Sequence, residues 1–283
     1  MKIGYYYGAY DILRAADLRN LDRQIQIQKA NGSKLFAVGI YEDGLCQALG
    51  FNKPIKSIED RMQIMSQMRG VDFVFPISSL DETIIKERLK LALREHNRNR
   101  VPTTVEEKKY DVGYAPGTYD LFHTGHLENL TIAASQCKEL IVGIKSDELV
   151  QEHKHKQPHI PADERLEIVE HFRFVKEAYI YHTRNLNVAN DWIHSKYGKN
   201  IDAVFLGEDL RKDFENTEGI NIVFTPRPPE LMKQRSTTAL SKKIKASPNK
   251  GSTKRYTGCI LTDKRLNPIC CEVEDDEVGL RDD

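Results

Sequence analysis

The chain has 283 residues with 42 basic and 42 acidic side chains, and 40% of it is hydrophobic, enough for two domains of ordinary size with real cores. Zero net charge excludes a global pull toward nucleic acid or an anionic membrane, so any phosphate binding must come from a local cluster. The five scattered cysteines show neither metal-ligand spacing nor an even disulfide framework, the first residues carry no apolar leader, and no run of about 18 apolar residues could cross a bilayer. The expectation is a cytoplasmic protein with reduced thiols and no stable membrane insertion.

In chain order, Gly4–Leu21 reads G-Y-Y-Y-G-A-Y-D-I-L-R-A-A-D-L-R-N-L and lies on Gly113–Leu130 at a constant offset of 109. Beyond a five-residue length difference the offset settles at 104, where G-I-Y-E-D-G-L (39–45) meets G-I-K-S-D-E-L (143–149), and Pro54, Arg61, Arg69 and Val71 fall on Pro158, Arg165, Arg173 and Val175. Repetition in one register means one supersecondary plan used twice. The differences carry as much information. Arg14 and Asp17 stand where His123 and His126 stand, Ala16 replaces Gly125, and Asn52 replaces Lys156. A carboxylate at Asp17 would repel a polyphosphate. Residues 1–97 are therefore expected to form a degenerate pseudo-domain that keeps the fold without the chemistry, followed by a polar, proline-bearing linker over 98–109.

The organising stretch comes next. An apolar, aromatic approach (Tyr110, Val112, Tyr114) ends at Pro116-Gly117, and helical spacing begins after Gly125, which predicts strand, glycine turn and helix start. Backbone N–H groups at that helix start would face one anion. His123 and His126, either side of Gly125, can point into one pocket and donate to phosphate oxygens. The spacing does not suit zinc, which on a helix takes histidines at i and i+4 with a glutamate between.

The run G-T-Y-D-L-F-H-T-G-H (117–126) resembles the signature of the cytidylyltransferase family of nucleotidyltransferases, and the likeness extends over 110–245, within a catalytic domain expected over 110–246. Together with the internal repeat, it gives as the expectation an α/β fold of two tandem Rossmann-like nucleotidyltransferase domains with parallel sheets, the first one degenerate. It further implies transfer between CTP and a small phosphorylated alcohol with Mg2+, with Gly117, Thr118 and Tyr119 at the nucleotide and Asp120 at the acceptor.

Glu139–Ile144 suits a buried parallel strand, and Asp147 after it lies either on the ligand edge or as a cap of the next turn. In the basic loop 153–158, Lys154 and Lys156 fall where similar enzymes carry K-x-K; a flexible ammonium can follow charge from attacking to leaving oxygen, and Lys156 is the first choice. Pro161 opens a helix with Leu166, Ile168, Val169 and Phe172 at core spacing. Arg173 matches a family arginine associated with nucleotide binding, whereas helix packing by a salt bridge accounts better for Arg165.

Ala178–Tyr181 reads as a strand and Val188–Tyr197 as a helix, in which core packing explains Trp192 better than a cation-binding role does. Asp202–Leu206 reads as the next buried strand, which places Asp209 on the ligand edge, and Ile220–Phe224 as the last. Pro226-Arg227 and Arg235-Ser236-Thr237-Thr238 resemble the family's P-R-T-x-G-I-S-T-T with a connection four residues longer and without its glycine. Ser236 and Thr237 would cradle the β- and γ-phosphates; the guanidinium comes from Arg227 or Arg235. The extension 247–283, with short β-like runs, is either a dimerising hairpin or a partly ordered end.

Catalysis is thus expected from His123, His126 and Lys156, with no protein-held metal. Three alternatives remain open: ATP in place of CTP, a nucleotide-sensing or scaffolding module, and, weakest, RNA binding, for which no aromatic-plus-basic module is present. Family members are commonly dimers, so the chain is either a homodimer or uses its own first half in the partner's place.

Overall fold

The computed structural model describes residues 1–98, 107–214, 220–226, 236–246 and 270–272. The chain divides into two compact units, Met1–Val105 with Ser247–Asp283, and Glu106–Ala246; the division falls inside the segment 98–109.

The first unit runs β1 (Lys2–Gly8), α1 (Ala15–Ala30), β2 (Leu35–Tyr41), α2 (Asp43–Ala48), α3 (Ile58–Met65), β3 (Phe73–Ile77) and α4 (Glu82–Arg98). Its three strands pair in parallel in the order β3-β2-β1, because helical crossovers return each strand in the same direction. The helices bury one face each: Leu18, Leu21 and Ile25 on α1, and Ile85, Leu89 and Leu93, four apart, on α4. From the extension, a short strand at Cys270–Glu272 (β9 in the chain's order) pairs antiparallel with β1, so this piece completes the first unit's sheet.

The second unit runs β4 (Tyr110–Gly117), α5 (Thr124–Gln136), β5 (Cys137–Lys145), α6 (Asp147–Lys154), α7 (Ala162–Glu170), β6 (Glu177–Tyr181), α8 (Leu186–Tyr197), β7 (Ala203–Gly207), α9 (Arg211–Phe214), β8 (Ile222–Thr225) and α10 (Thr237–Ala246). All five strands are parallel in the order β6-β5-β4-β7-β8. Runs such as A-V-F-L-G in β7 are buried throughout, as a sheet covered on both faces requires. β4 is central and the chain winds outward from it on both sides, which makes its carboxyl end the switch point where open α/β sheets bind ligands.

Several elements differ in detail from expectation. Asp202 precedes β7, and its carboxylate accepts from Asp111 N at 3.0 Å and Val112 N at 2.9 Å, tying the start of β4. Lys154 belongs to the end of α6, which His155 closes in the left-handed region at φ 51°, so the basic loop starts later than the charge pattern implies. Trp192 stacks on Tyr179 with centroids 4.0 Å apart and packs against the core containing Ile141 and Ile193, as the core reading expects. Trp192 is the only tryptophan, so its emission follows the second unit alone. Ile141 is fully buried; Ile141→Ala should destabilise this unit by about 2–5 kcal/mol, read from Trp192 fluorescence in urea.

Candidate active site

The site grows from the turn after β4. A Cβ on Gly117 would come within 2.7 Å of the Tyr119 ring, so only glycine lets that ring fold back on the strand end. Tyr119 and Leu121 both lie in the left-handed region, at φ 53° and 48°, a conformation that costs side-chain-bearing residues of order 1–3 kcal/mol each. Packing holds them there. Leu121 is fully buried, Tyr119 Oη donates to Ala115 O at 3.1 Å, and Phe122 packs on Phe172 with centroids 4.6 Å apart.

The turn delivers the chain to α5 with His123 as N-cap residue in extended conformation. The His123 and His126 rings stack with centroids 3.7 Å apart and planes 21° from parallel. Gly125 leaves them room, since a Cβ there would sit 3.2 Å from the His123 ring. Tyr119 and Phe122 wall His126 at 5.2 and 5.5 Å between centroids.

A second helix start closes on the same point. Ser236 caps α10 by accepting from Ala239 N at 3.2 Å. Thr237 Oγ1 lies 3.5 Å from His123 Nε2 and donates to Asp120 O at 3.0 Å. Two positive helix ends, two imidazoles and a hydroxyl thus converge, an arrangement suited to a polyanion.

Buried polar side chains hold the floor beneath this turn. Arg165 is completely buried; its guanidinium donates to Ile160 O and Lys145 O at 2.8 Å each and to Thr118 O, and pairs with Asp147. Asp147 also accepts from Ala162 N at 3.2 Å; the cap of α6 is Ser146, which accepts from Leu149 N at 3.2 Å, so Asp147 ties the start of α6 to the start of α7 and does not cap the turn that follows it. Asp120, expected at the acceptor, instead commits its carboxylate to the loop ahead of α7, accepting from His159 N, His159 Nδ1 and Ile160 N, all at 3.0 Å. Burial pushes this carboxyl up, but the His159 imidazole and the His159 and Ile160 N–H groups outweigh it and hold it below the usual carboxylate range.

Of the other expected residues, Lys154 reaches the site, with Nζ 3.3 Å from Thr118 Oγ1. Lys156 stands exposed on the connection between α6 and α7, Arg173 is exposed in the turn beside Phe172, and Asp209 is exposed in the 3-10 turn at the carboxyl end of β7. Arg227 and Arg235 lie outside the described residues. Sequence reasoning missed His159 and Asp147 as partners, and gave Arg165 too small a role. Their signal was present, since Arg61 in the first unit donates in the same pattern to Lys56 O, Ala9 O and Tyr41 O and pairs with Asp43.

Residues 114–253 match the family model described as cytidylyltransferase-like. The chain is 32% identical over 125 residues to an FAD synthase of Thermococcus onnurineus, a match covering 42% of this chain and 83% of that one. This chain belongs to the cytidylyltransferase-like family of nucleotidyltransferases. An FAD synthase of Thermococcus kodakarensis is 30% identical over 127 residues, covering 42% of this chain and 85% of that protein. A probable ethanolamine-phosphate cytidylyltransferase of Encephalitozoon cuniculi is 38% identical over 71 residues, covering 25% of this chain and 22% of that protein. Among the described residues no helix is long and apolar enough to cross a membrane.

The Asp120 bond set makes a pH prediction. Its folded-state pKa lies below the unfolded one, so the carboxylate contributes stability above about pH 4 and loses that contribution as pH falls through the folded value. Asp120→Asn should therefore lower the second unit's stability by roughly 1–3 kcal/mol at pH 7. The gap from wild type should narrow below about pH 4, measured by urea titration of Trp192 emission.

Proposed function

We propose that the second unit transfers a cytidylyl group from CTP to a small phosphorylated alcohol. An oxygen of the acceptor's phosphate forms a bond to the α-phosphorus, the bond from that phosphorus to the α–β bridging oxygen breaks, and pyrophosphate leaves with the electron pair. His123 and His126 donate to the α-phosphate and the bridging oxygen, Lys154 and Lys156 follow the developing charge, and Ser236 and Thr237 at the start of α10 receive the pyrophosphate. No covalent enzyme intermediate is needed, because positioning and charge neutralisation lower the barrier of an in-line displacement. The observation that carries this reading is the stacked histidine pair within reach of Thr237.

Magnesium would accompany the triphosphate. Its ligands would be mostly phosphate and water. Its contribution when bound is to neutralise triphosphate charge. The first unit carries no chemistry in this proposal: the Asp17 carboxylate, at the second histidine's position, accepts from Arg14 N at 3.0 Å and caps its own helix.

ATP is the second reading. The two FAD synthases, whose product contains an adenylyl group, match over most of their length, and phosphate-binding groups do not read a base. Pyrophosphate release with CTP against ATP, over a panel of phosphorylated alcohols and FMN, decides between them. Tight CTP binding without any release would favour a sensing module instead. His126→Ala should reduce kcat by about 10²- to 10³-fold with folding intact by circular dichroism; wild-type turnover in that variant removes the histidine pair from the mechanism.

A further inference from the structure

The aspartate at the centre of the turn is held in both units, but not by the same groups. In the first unit the Asp11 carboxylate accepts from Ile55 N and Lys56 N at 2.9 Å each. In the second the Asp120 carboxylate accepts from His159 N and Ile160 N at 3.0 Å, and these positions correspond at the offsets of 109 and 104. Backbone bonds alone therefore suffice to seat this loop under the turn. His159 adds a bond that the isoleucine at the first unit's position cannot make: its Nδ1 lies 3.0 Å from Asp120 Oδ2, and because a carboxylate only accepts, Nδ1 carries the proton. Two further differences meet at the same aspartate. Among the described residues of the first unit, Tyr10 is the one position other than glycine at positive φ, at 50°, whereas in the second unit Tyr119 is followed by Leu121 at 48°, two residues ahead of His123. The Asp11 carbonyl accepts from the buried Lys56 ammonium. Ile160 stands at that position in the second unit, and the Asp120 carbonyl accepts instead from Thr237 Oγ1 at 3.0 Å, the hydroxyl 3.5 Å from His123 Nε2.

We infer that His159 is a positioning residue: its Nδ1–H holds the Asp120 carboxylate so that the Leu121 turn presents His123, and the Asp120 carbonyl presents Thr237, in register for transfer. Asp120 lies between two left-handed residues, a conformation that persists only where its surroundings over-determine it. The unit with the second such residue is the one whose aspartate has the additional donor. The consequence for turnover rests on the transfer reading, in which a small displacement of the donors costs the in-line step more than it costs nucleotide binding.

Two variants of the full chain test it. His159→Ile installs the first unit's residue and keeps the backbone bonds; His159→Asn keeps a donor where Nδ1 stands. In the isoleucine variant the ring resonances of His123, followed by NMR of 15N-imidazole-labelled protein without ligand, should shift. Its kcat for pyrophosphate release from CTP or ATP over the acceptor panel should fall about tenfold or more, with KM for the nucleotide changed less than about twofold. The asparagine variant should return both readouts to near wild type. Unshifted His123 resonances or wild-type kcat in the folded isoleucine variant overturns the inference, and so does an asparagine variant as impaired as the isoleucine one. Should His159→Ile fail to fold by circular dichroism, His159→Gln, whose amide lies one bond too far out, takes its place with the same two outcomes. Shifted His123 resonances in a protein that releases no pyrophosphate with any acceptor refute the transfer reading and uphold the positioning of His123 by His159.

Discussion

The second unit is organised around one buried cation. Arg165 has no access to water, so its donors must all be met by protein, and the acceptors it finds come from four places: the motif turn at Thr118, the end of β5 at Lys145, the approach to α7 at Ile160, and Asp147 at the start of α6. A planar guanidinium with its fork of donors can bridge such a set where an ammonium cannot. Losing it would leave several buried carbonyls and a carboxylate unpaired at once, which costs far more than a surface ion pair contributes. The position of Thr118, and with it the path into the histidine turn, follows from this bond set. Asp120 does the complementary job, pulling the loop at His159–Ile160 onto the underside of the same turn.

The same two devices recur in the first unit: Arg61 with its carbonyls and Asp43, and Asp11 accepting from Ile55 N and Lys56 N at 2.9 Å each. These positions correspond at the sequence offsets of 104 and 109. That makes the internal comparison informative about roles. Residues alike in both units hold the turn; those at the helix start differ, His123 against Arg14 and His126 against Asp17.

Much of this was legible in the sequence. The motif turn, the strands in β-branched runs and the helices at core spacing leave local signals, and the structure places the two imidazoles in one stack as their spacing implies. Contacts set by register were not legible. That Asp120 meets His159, or that Lys154 reaches Thr118, depends on which strands lie side by side in the order β6-β5-β4-β7-β8, and no local pattern encodes that order. Arg165 and Arg61 were visible as a matched pair, yet a salt bridge is a pairwise idea and understated a residue that satisfies four acceptors. Asp120 is expected at a ligand because it sits inside the motif, while the bonds its carboxylate makes to His159 and Ile160 follow from the fold and left no local signal.

The contrast between the two helix starts shows what the site gives up. In α1 an acidic residue occupies the first turn, and Asp17 accepts from the N-cap backbone, an arrangement favoured by the helix dipole. In α5 the N-cap is an imidazole that makes no side-chain cap bond, the first turn holds no acidic residue, and the turn ahead of it keeps two non-glycine residues at positive φ. Each of these features costs stability locally, and the packing of Tyr119, Leu121 and Phe122 together with the Arg165 bonds offsets them. A helix end left without its own carboxylate retains its attraction for an external anion, while one that carries a cap has already neutralised it. The difference between aspartate and histidine at this position is therefore more than a difference in donors: α1 carries a negative charge of its own in its first turn and α5 does not.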